Sequence, residues 1–204
     1  MAEPSPGPIV LSTDIERAVR DTLKHWVAFY LADIDEQHDR ERGTTVVPRY
    51  WSIASESGAK WLEETPPALV VACPGTMDAP VLHGKDAHYG AWWRVNIGVT
   101  AKGASEDGAR DIASRYAGAV RYVLGQQGTM GGLVERTAWL GEATAEVKRE
   151  RSLMAAEVSA AVFVSNVMQT RGLLPRVRPT DPKQPAEPTP TPSRVVIRTV
   201  PRSN

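Results

Sequence analysis

The stretch from Tyr89 to Leu124 most constrains the fold of this 204-residue chain, because it predicts one long strand followed by one amphipathic helix. In the strand, odd positions are apolar and most even positions are polar, and this period of two is typical of a sheet with one buried face. The apolar row is Tyr89, Ala91, Trp93, Val95, Ile97, Val99 and Ala101. The polar row contains Arg94, Asn96, Thr100 and Lys102. The apolar row requires a second layer to cover it.

The helix that follows supplies this layer. The chain turns at Gly103, and Ser105 occupies the N-cap position, with Glu106 and Asp107 at the positive end of the helix dipole. Apolar residues then recur at intervals of three and four: Ala109, Ile112, Ala113, Tyr116, Ala119, Val120, Val123 and Leu124. A helix with one apolar stripe is expected to pack on the apolar face of the strand.

A first helix is predicted near the N-terminus. Thr13 and Glu16 have the spacing of a capping box, and Asp35 to Arg42 forms a polar end that Gly43 closes. One apolar stripe follows the helix: Ile15, Val19, Leu23, Trp26, Val27, Tyr30 and Ile34. Its acidic residues fit a solvated helix end or a cation site: Asp33, Asp35, Glu36 and Asp39. We expect this helix to pack beside the second one.

The remaining strands are shorter or less clear. Short strands are predicted at Tyr50 to Ala54, Ala68 to Cys73 and Leu133 to Leu140, and residues 74–88 are predicted to be a loop. Residues 152–168 are compatible with helix or strand, and their alternation favours a strand beside the central one. The segment 142–151 carries no pattern that assigns it. We therefore predict an α+β domain over residues 12–172, with a mixed, mostly antiparallel sheet of about four strands and two helices on one face.

Extended arms flank this domain. Residues 1–11 are proline-rich, and residues 173–204 contain seven prolines at short intervals before a strand-like end at Ser193 to Val200. Residues 1–170 carry 17 basic and 22 acidic side chains, whereas residues 171–204 carry 7 and 2. This distribution excludes the basic folded face of a nucleic-acid-binding domain and favours contact between the tail of one chain and the body of another.

Motifs that carry chemistry are weak in this sequence. His83, Asp86 and His88 lie close together, but their spacing fits a hydrated loop better than a metal site. Gly128 to Gly132 lacks the Gly-Lys-Ser/Thr ending of a phosphate loop and predicts a turn. Cys73 lies in an apolar run and predicts a buried thiol rather than a nucleophile. We expect no catalytic, cofactor-binding or metal-binding residue, and hence no enzyme.

Exposed aromatic and strand-forming residues instead predict interfaces. Trp92 and Trp93 are consecutive in a strand, so they point to opposite faces, and one of them faces whatever covers the second face. The interface candidates in the body are Trp92 and Arg94. The candidates in the tail share alternating apolar and basic character: Arg194, Val195, Val196, Ile197 and Arg198.

The order of these elements and several short sequence segments resemble those of the tail terminator proteins of long-tailed bacteriophages, especially those of actinobacterial hosts. The segments are the end of the long strand at Val99-Thr100-Ala101, and the pairs Arg115-Tyr116 and Val120-Arg121 in the second helix. They also include Trp139-Leu-Gly-Glu142, which follows a glycine turn, and the alternating pattern from Val158 to Val167. The resemblance covers about residues 10–172. The proline-rich extension departs from the compact members of the family.

The resemblance implies a structural virion protein that forms a hexameric ring on the tail tube, stops tube elongation and provides the joint to the head connector. Its implied partners are other copies of itself, the tail tube protein, the head completion protein and genomic DNA that passes through the lumen without sequence-specific binding. No membrane partner is implied, and assembly is expected in the host cytoplasm with the product at the virion neck. The alternatives are another head–tail joining protein, or a small cytoplasmic enzyme or ligand-binding domain that uses the 74–88 loop.

Overall fold

The central strand of the sequence prediction is also the centre of the fold. A computed structural model describes residues 9–38, 40–57, 66–83, 88–148 and 152–169. Its elements in chain order are α1 (Ser12–Gln37), β1 (Tyr50–Ile53), α2 (Ala54–Ser57), β2 (Ala68–Thr76), β3 (Val81–His83), β4 (His88–Lys102), α3 (Glu106–Gln126), a 3₁₀ turn (Met130–Gly132), β5 (Arg136–Lys148) and β6 (Leu153–Gln169).

The strands form one mixed sheet in the order β1-β2-β4-β6-β5, and β3 extends the sheet by pairing with one end of β4. The pair β1 and β2 is parallel, and the other pairs are antiparallel. The segment 152–168, whose sequence was compatible with helix or strand, corresponds to strand β6 (Leu153–Gln169), which lies beside β4 as predicted. The predicted α+β class is confirmed, with six described strands where the sequence predicted about four.

The two long helices cover one face of the sheet, as predicted. The odd row of β4 faces them, and Val95, Ile97 and Val99 have no exposed surface. From α3, Ala113, Tyr116, Val120 and Val123 pack into the same core, and α1 adds Ile15, Val19, Leu23, Val27 and Leu31. Fully burying a large apolar side chain contributes roughly 1.5–3 kcal/mol, so the many large side chains buried in this layer make a large contribution to stability.

The turn into α3 follows the prediction closely. The Ser105 hydroxyl accepts a hydrogen bond from Gly108 N at 3.1 Å, which satisfies one of the free amides of the first helical turn. At Gly103 an added Cβ would come within 2.3 Å of Ala109 N. Glycine is therefore required there so that the strand can pass closely beneath the start of the helix.

The predicted capping box of Thr13 and Glu16 is wrong. The N-cap is Leu11 rather than Thr13, so α1 begins two residues earlier, at Ser12, and the Asp14 carboxylate accepts the hydrogen bond of Leu11 N at 2.9 Å. Glu16 is buried instead, because it lies on the core side of α1 and accepts hydrogen bonds from Cys73 N at 2.8 Å and from the Ser55 hydroxyl. Its carboxylate thus fastens α1 to β2 and α2.

Both ends of the predicted domain differ from the prediction in detail. The helix α1 ends at Gln37 rather than near Arg42, although Gly43 does adopt a positive φ of 83°. At the N-terminal arm, Ile9 forms a bridge with Met168, and Val10 N donates to Val167 O at 2.9 Å, so this part of the arm pairs with the end of β6. The rest of the arm and residues 170–204 lie outside the described residues.

Candidate interaction surface

The face of the sheet opposite α1 and α3 has a floor of small side chains, and we call it the open face. A depression of about 230 Å³ crosses it. It is lined by residues from four strands, together with Ala54 of α2: Val70, Ala72, Asn96, Gly98, Ala143, Ala145, Ala155, Ala156 and Glu157. Small side chains leave the sheet backbone close to the surface, which allows another chain to approach closely.

Strand register explains why these residues meet. Gly98 of β4 is paired with Glu157 of β6, which is paired in turn with Ala143 of β5. One row along, Asn96 is paired with Ser159, whose hydroxyl is 3.2 Å from the Asn96 side-chain oxygen. The sequence did not reveal this floor, because its strand residues are separated by as many as 87 positions, from Val70 to Glu157, and none of them stands out alone.

One end of the open face is aromatic. The ring centroids of Trp92 and Phe163 are 5.2 Å apart, and the Arg136 guanidinium lies 5.7 Å from the Phe163 centroid. These three residues border a second depression of about 300 Å³, whose other wall includes Asp78 and Val81. Aromatic and arginine side chains are enriched at protein interfaces, so this end of the sheet has the composition of a docking surface.

The two consecutive tryptophans divide between the faces, as predicted. Trp93 packs against the core on the helical side, whereas Trp92 is half-buried at the open face. Arg94 is exposed on the same side as Trp92. These positions suit the predicted interface role of Trp92 and Arg94, which stays a prediction. The candidates Arg194, Val195, Val196, Ile197 and Arg198 lie outside the described residues.

The strand β5 borders the open face and was only partly predicted. It continues through Glu142 to Lys148, a segment that the sequence pattern did not assign. Among the described strands β5 pairs with β6 alone, so it is an edge. Trp139 and Leu140 on this edge are 51% and 46% exposed, and the Arg121 guanidinium lies 5.5 Å from the Trp139 ring.

The predicted loop at 74–88 contains more regular structure than expected. Strand β2 continues to Thr76 and β3 occupies Val81–His83, because these residues pair with the first half of β4. The backbones of His83 and His88 are partners in this pairing, and Asp86 lies outside the described residues. Within the part of the chain that the structure describes, no three His, Cys, Asp or Glu side chains come together as a metal site.

Cys73 has the environment that the sequence predicted. The thiol is buried, and burial together with the nearby Glu16 carboxylate raises its pKa to about 11. A thiol with this pKa carries almost no thiolate at neutral pH, and thiolate is the reactive form.

A buried ionic network joins the end of α1 to α3, and sequence reasoning missed it. Asp35 has no exposed surface and accepts hydrogen bonds from the Thr45 amide, at 2.8 Å, and from the Thr45 hydroxyl. Arg115 lies 3.5 Å from Asp35 and 3.1 Å from Asp111, which also binds Arg40 at 2.7 Å. Asp35 is therefore a structural anchor, and neither the solvated helix end nor the cation site predicted for it fits these contacts.

Comparison with known protein families finds no match to this chain, and a comparison with curated proteins finds none either. None of the described helices is long and apolar enough to cross a membrane.

Proposed function

We propose that this chain is the subunit of a homo-oligomeric ring, a tail terminator of the long-tailed bacteriophage type. In this role six copies cap the tail tube, stop its elongation and present a surface to the head completion protein, with DNA passing through the lumen. The observation that carries the proposal is the open face of small side chains, which runs to the edge that β5 forms among the described strands. A surface of this kind fits another polypeptide better than a small molecule.

The open face differs from a small-molecule site in its chemistry. Ligand pockets are concave and bring a few convergent polar groups toward one point. Here the depression of about 230 Å³ is lined mostly by alanine, glycine and valine, and Asn96 and Glu157 are its polar members. On such a floor another polypeptide can come close to the backbone of the sheet. A strand or a sheet that docks on this face requires that close approach.

Exposed apolar side chains at two other places support assembly. At the end of the sheet formed by β3, Ile9, Val81 and Leu82 are each more than half exposed. At the edge formed by β5, Trp139 and Leu140 are about half exposed. Contiguous exposed apolar surface on a folded chain commonly marks a contact with another protein.

The fold is compatible with the resemblance of the sequence to tail terminators, which implies an α/β sandwich. A fold by itself hosts many functions, so the surfaces carry the proposal and the fold only permits it. The proposal places the mature protein at the virion neck after assembly in the host cytoplasm.

Native mass spectrometry and electron microscopy of the purified full chain test the proposal. We expect species of six copies of the 22.2 kDa chain and ring-shaped particles. Ala145→Arg places a long charged side chain on the open face and should reduce the six-copy population by about tenfold or more, since a buried unpaired charge costs several kcal/mol. Ala28→Arg is the matched control, because Ala28 is an exposed alanine of α1, in the layer on the other side of the sheet.

Two results would overturn the proposal. One is a chain that stays monomeric at every concentration and also fails to bind the end of purified tail tubes. The other is saturable binding of a small molecule at residues 74–88 by a chain that forms no ring.

A further inference from the structure

The middle of the β5 edge is a regular stretch between two irregularities. The register of β5 with β6 shifts between Trp139 and Gly141 and again between Glu146 and Lys148. From Gly141 to Glu146 the pairing is continuous over six residues. On the edge of β5 that points away from β6, this stretch has no partner strand among the described residues. The backbone N–H and C=O groups on that edge are therefore available to pair with one more strand.

The side chains of this stretch form two different rows. Glu142 and Glu146 lie on the helical side, four residues apart, with Thr144 between them. Gly141, Ala143 and Ala145 lie on the open face. Glu142 already contacts Arg121 at 3.2 Å, yet its side chain stays 36% exposed and can accept a second cation. The edge therefore offers an acidic row on one side and a row of very small residues on the other.

One segment of this chain has the complementary pattern. From Arg194 to Val200 the sequence alternates, with Arg194, Val196 and Arg198 in one row and Val195, Ile197 and Thr199 in the other. Its two arginines are four residues apart, as are the two glutamates of the edge. Its second row is β-branched, and large β-branched residues suit neighbours that are small.

We propose that residues 194–200 of a second copy add to the β5 edge as an antiparallel strand. In the register that this spacing selects, Arg198 lies opposite Glu142 and Arg194 lies opposite Glu146. The same register places Ile197 opposite Ala143 and Val195 opposite Ala145, at the border of the open face. The inference rests on the proposed function, because it names the contact that joins neighbouring subunits of the ring.

The composition of the spacer favours a second copy over the chain's own edge. To reach its own β5 in this register, the chain would have to run back from Gln169 along nearly the whole of β6. From residue 178 to 193, Ala186 is the only apolar side chain apart from proline, so little would hold the spacer against its own sheet. Twenty residues of polyproline II extend about 60 Å, which reaches beyond a domain of this size.

Disulfide trapping between two different variants tests the contact. One variant carries Ile197→Cys and the other carries Ala143→Cys, and the native Cys73 is retained because it is buried. Directly opposed residues of paired strands have the Cα separation that a disulfide needs. After mixing and mild oxidation, we expect a covalent two-chain product at about ten times the yield of a control pair in which Thr144→Cys replaces Ala143→Cys, since Thr144 faces the other side.

A charge exchange tests the register independently. Glu142→Arg with Glu146→Arg should weaken assembly of the full chain, and adding Arg194→Glu with Arg198→Glu should restore it. An intrachain disulfide in a dilute chain that carries both cysteines would overturn the assignment to a second copy. If the six-copy species forms but neither the mixed disulfide nor the rescue by charge exchange is found, this inference fails and the proposed ring stands. If the unmodified chain forms no ring, the proposed function itself fails.

Discussion

Single residues fix how α1 meets the rest of the domain, and Asp35 is the clearest case. Its burial favours the neutral acid, but the hydrogen bonds from Thr45 and the charges of Arg115 and Arg40 outweigh this effect. The pKa of Asp35 is therefore below its ordinary value of 3.8. The carboxylate is charged at neutral pH and holds the segment after α1 against α3.

This depressed pKa predicts a contribution to stability that depends on pH. Because the folded pKa lies below the unfolded value, the contribution is complete well above pH 3.8 and is lost as the pH falls through the folded pKa. Asp35→Asn should lower the free energy of unfolding by about 1–3 kcal/mol at pH 7, and the difference from the native chain should shrink below pH 4. Denaturant unfolding at pH 7, 4 and 3 measures both effects.

Asp33→Asn is the matched control, because Asp33 is partly exposed and pairs with the exposed Arg42. Its effect should stay within about 0.5 kcal/mol at every pH. An equal loss for Asp35→Asn at pH 7 and pH 3 would contradict the assignment of Asp35 as the charged anchor.

Sequence reasoning succeeded for residues whose neighbours in the chain determine their position and failed for those with distant partners. Trp92 and Trp93 were placed on opposite faces because alternation in a strand is a local rule. Asp35 and Glu16 were misread because their partners, Arg115 and Cys73, lie 80 and 57 positions away. A buried carboxylate on the apolar side of a helix is recognisable only once its partner is known.

At the scale of elements, β4 organises the sheet, and one substitution measures its contribution. Ile97 has no exposed surface and is paired with Val71 on one side and Val158 on the other. Ile97→Ala should lower the free energy of unfolding by about 2–5 kcal/mol, as large-to-small core changes do. The midpoint of denaturant unfolding measures this loss.

Arg94→Ala in the same strand provides the control, because Arg94 is exposed. Its free energy of unfolding should change by no more than about 0.5 kcal/mol. An unchanged midpoint for Ile97→Ala would show that β4 is not the centre of the core.

Elements at the rim of the sheet were harder to predict than those at its centre. The apolar row of β4 is buried or partly buried from Tyr89 to Ala101, so its period of two is clear in the sequence. The second half of β5 is exposed on both sides and carries charge, which hides the alternation. The three residues of β3 are too few for any period to be visible, and they become a strand because they pair with β4.

At the scale of the whole molecule, the sequence predicts the layers but not the surfaces between copies. The helical layer follows from apolar stripes that can be read along α1 and α3. The open face depends on the register of β2, β4, β6 and β5 together, and its floor exists because four unremarkable rows of small residues coincide. The resemblance to tail terminators suggested that such surfaces should exist without indicating where they lie.

Deleting the tail should affect the stability of the assembly but not the stability of the single chain. Residues 171–204 carry 7 basic and 2 acidic side chains against an acidic body, and the proline-rich composition before residue 193 offers little to a core of its own. If residues 194–200 bind a neighbour, deleting residues 176–204 should leave the melting temperature of the dilute monomer within about 2 °C. The same deletion should raise the dissociation constant of the ring by tenfold or more, equivalent to about 1.4 kcal/mol. Deleting residues 202–204 alone keeps the strand-like segment and should change neither quantity. Calorimetry of the dilute chain measures the melting temperature, and native mass spectrometry across a concentration series measures the dissociation constant. A large fall in the melting temperature of the monomer would show that residues 194–200 belong to the sheet of their own chain.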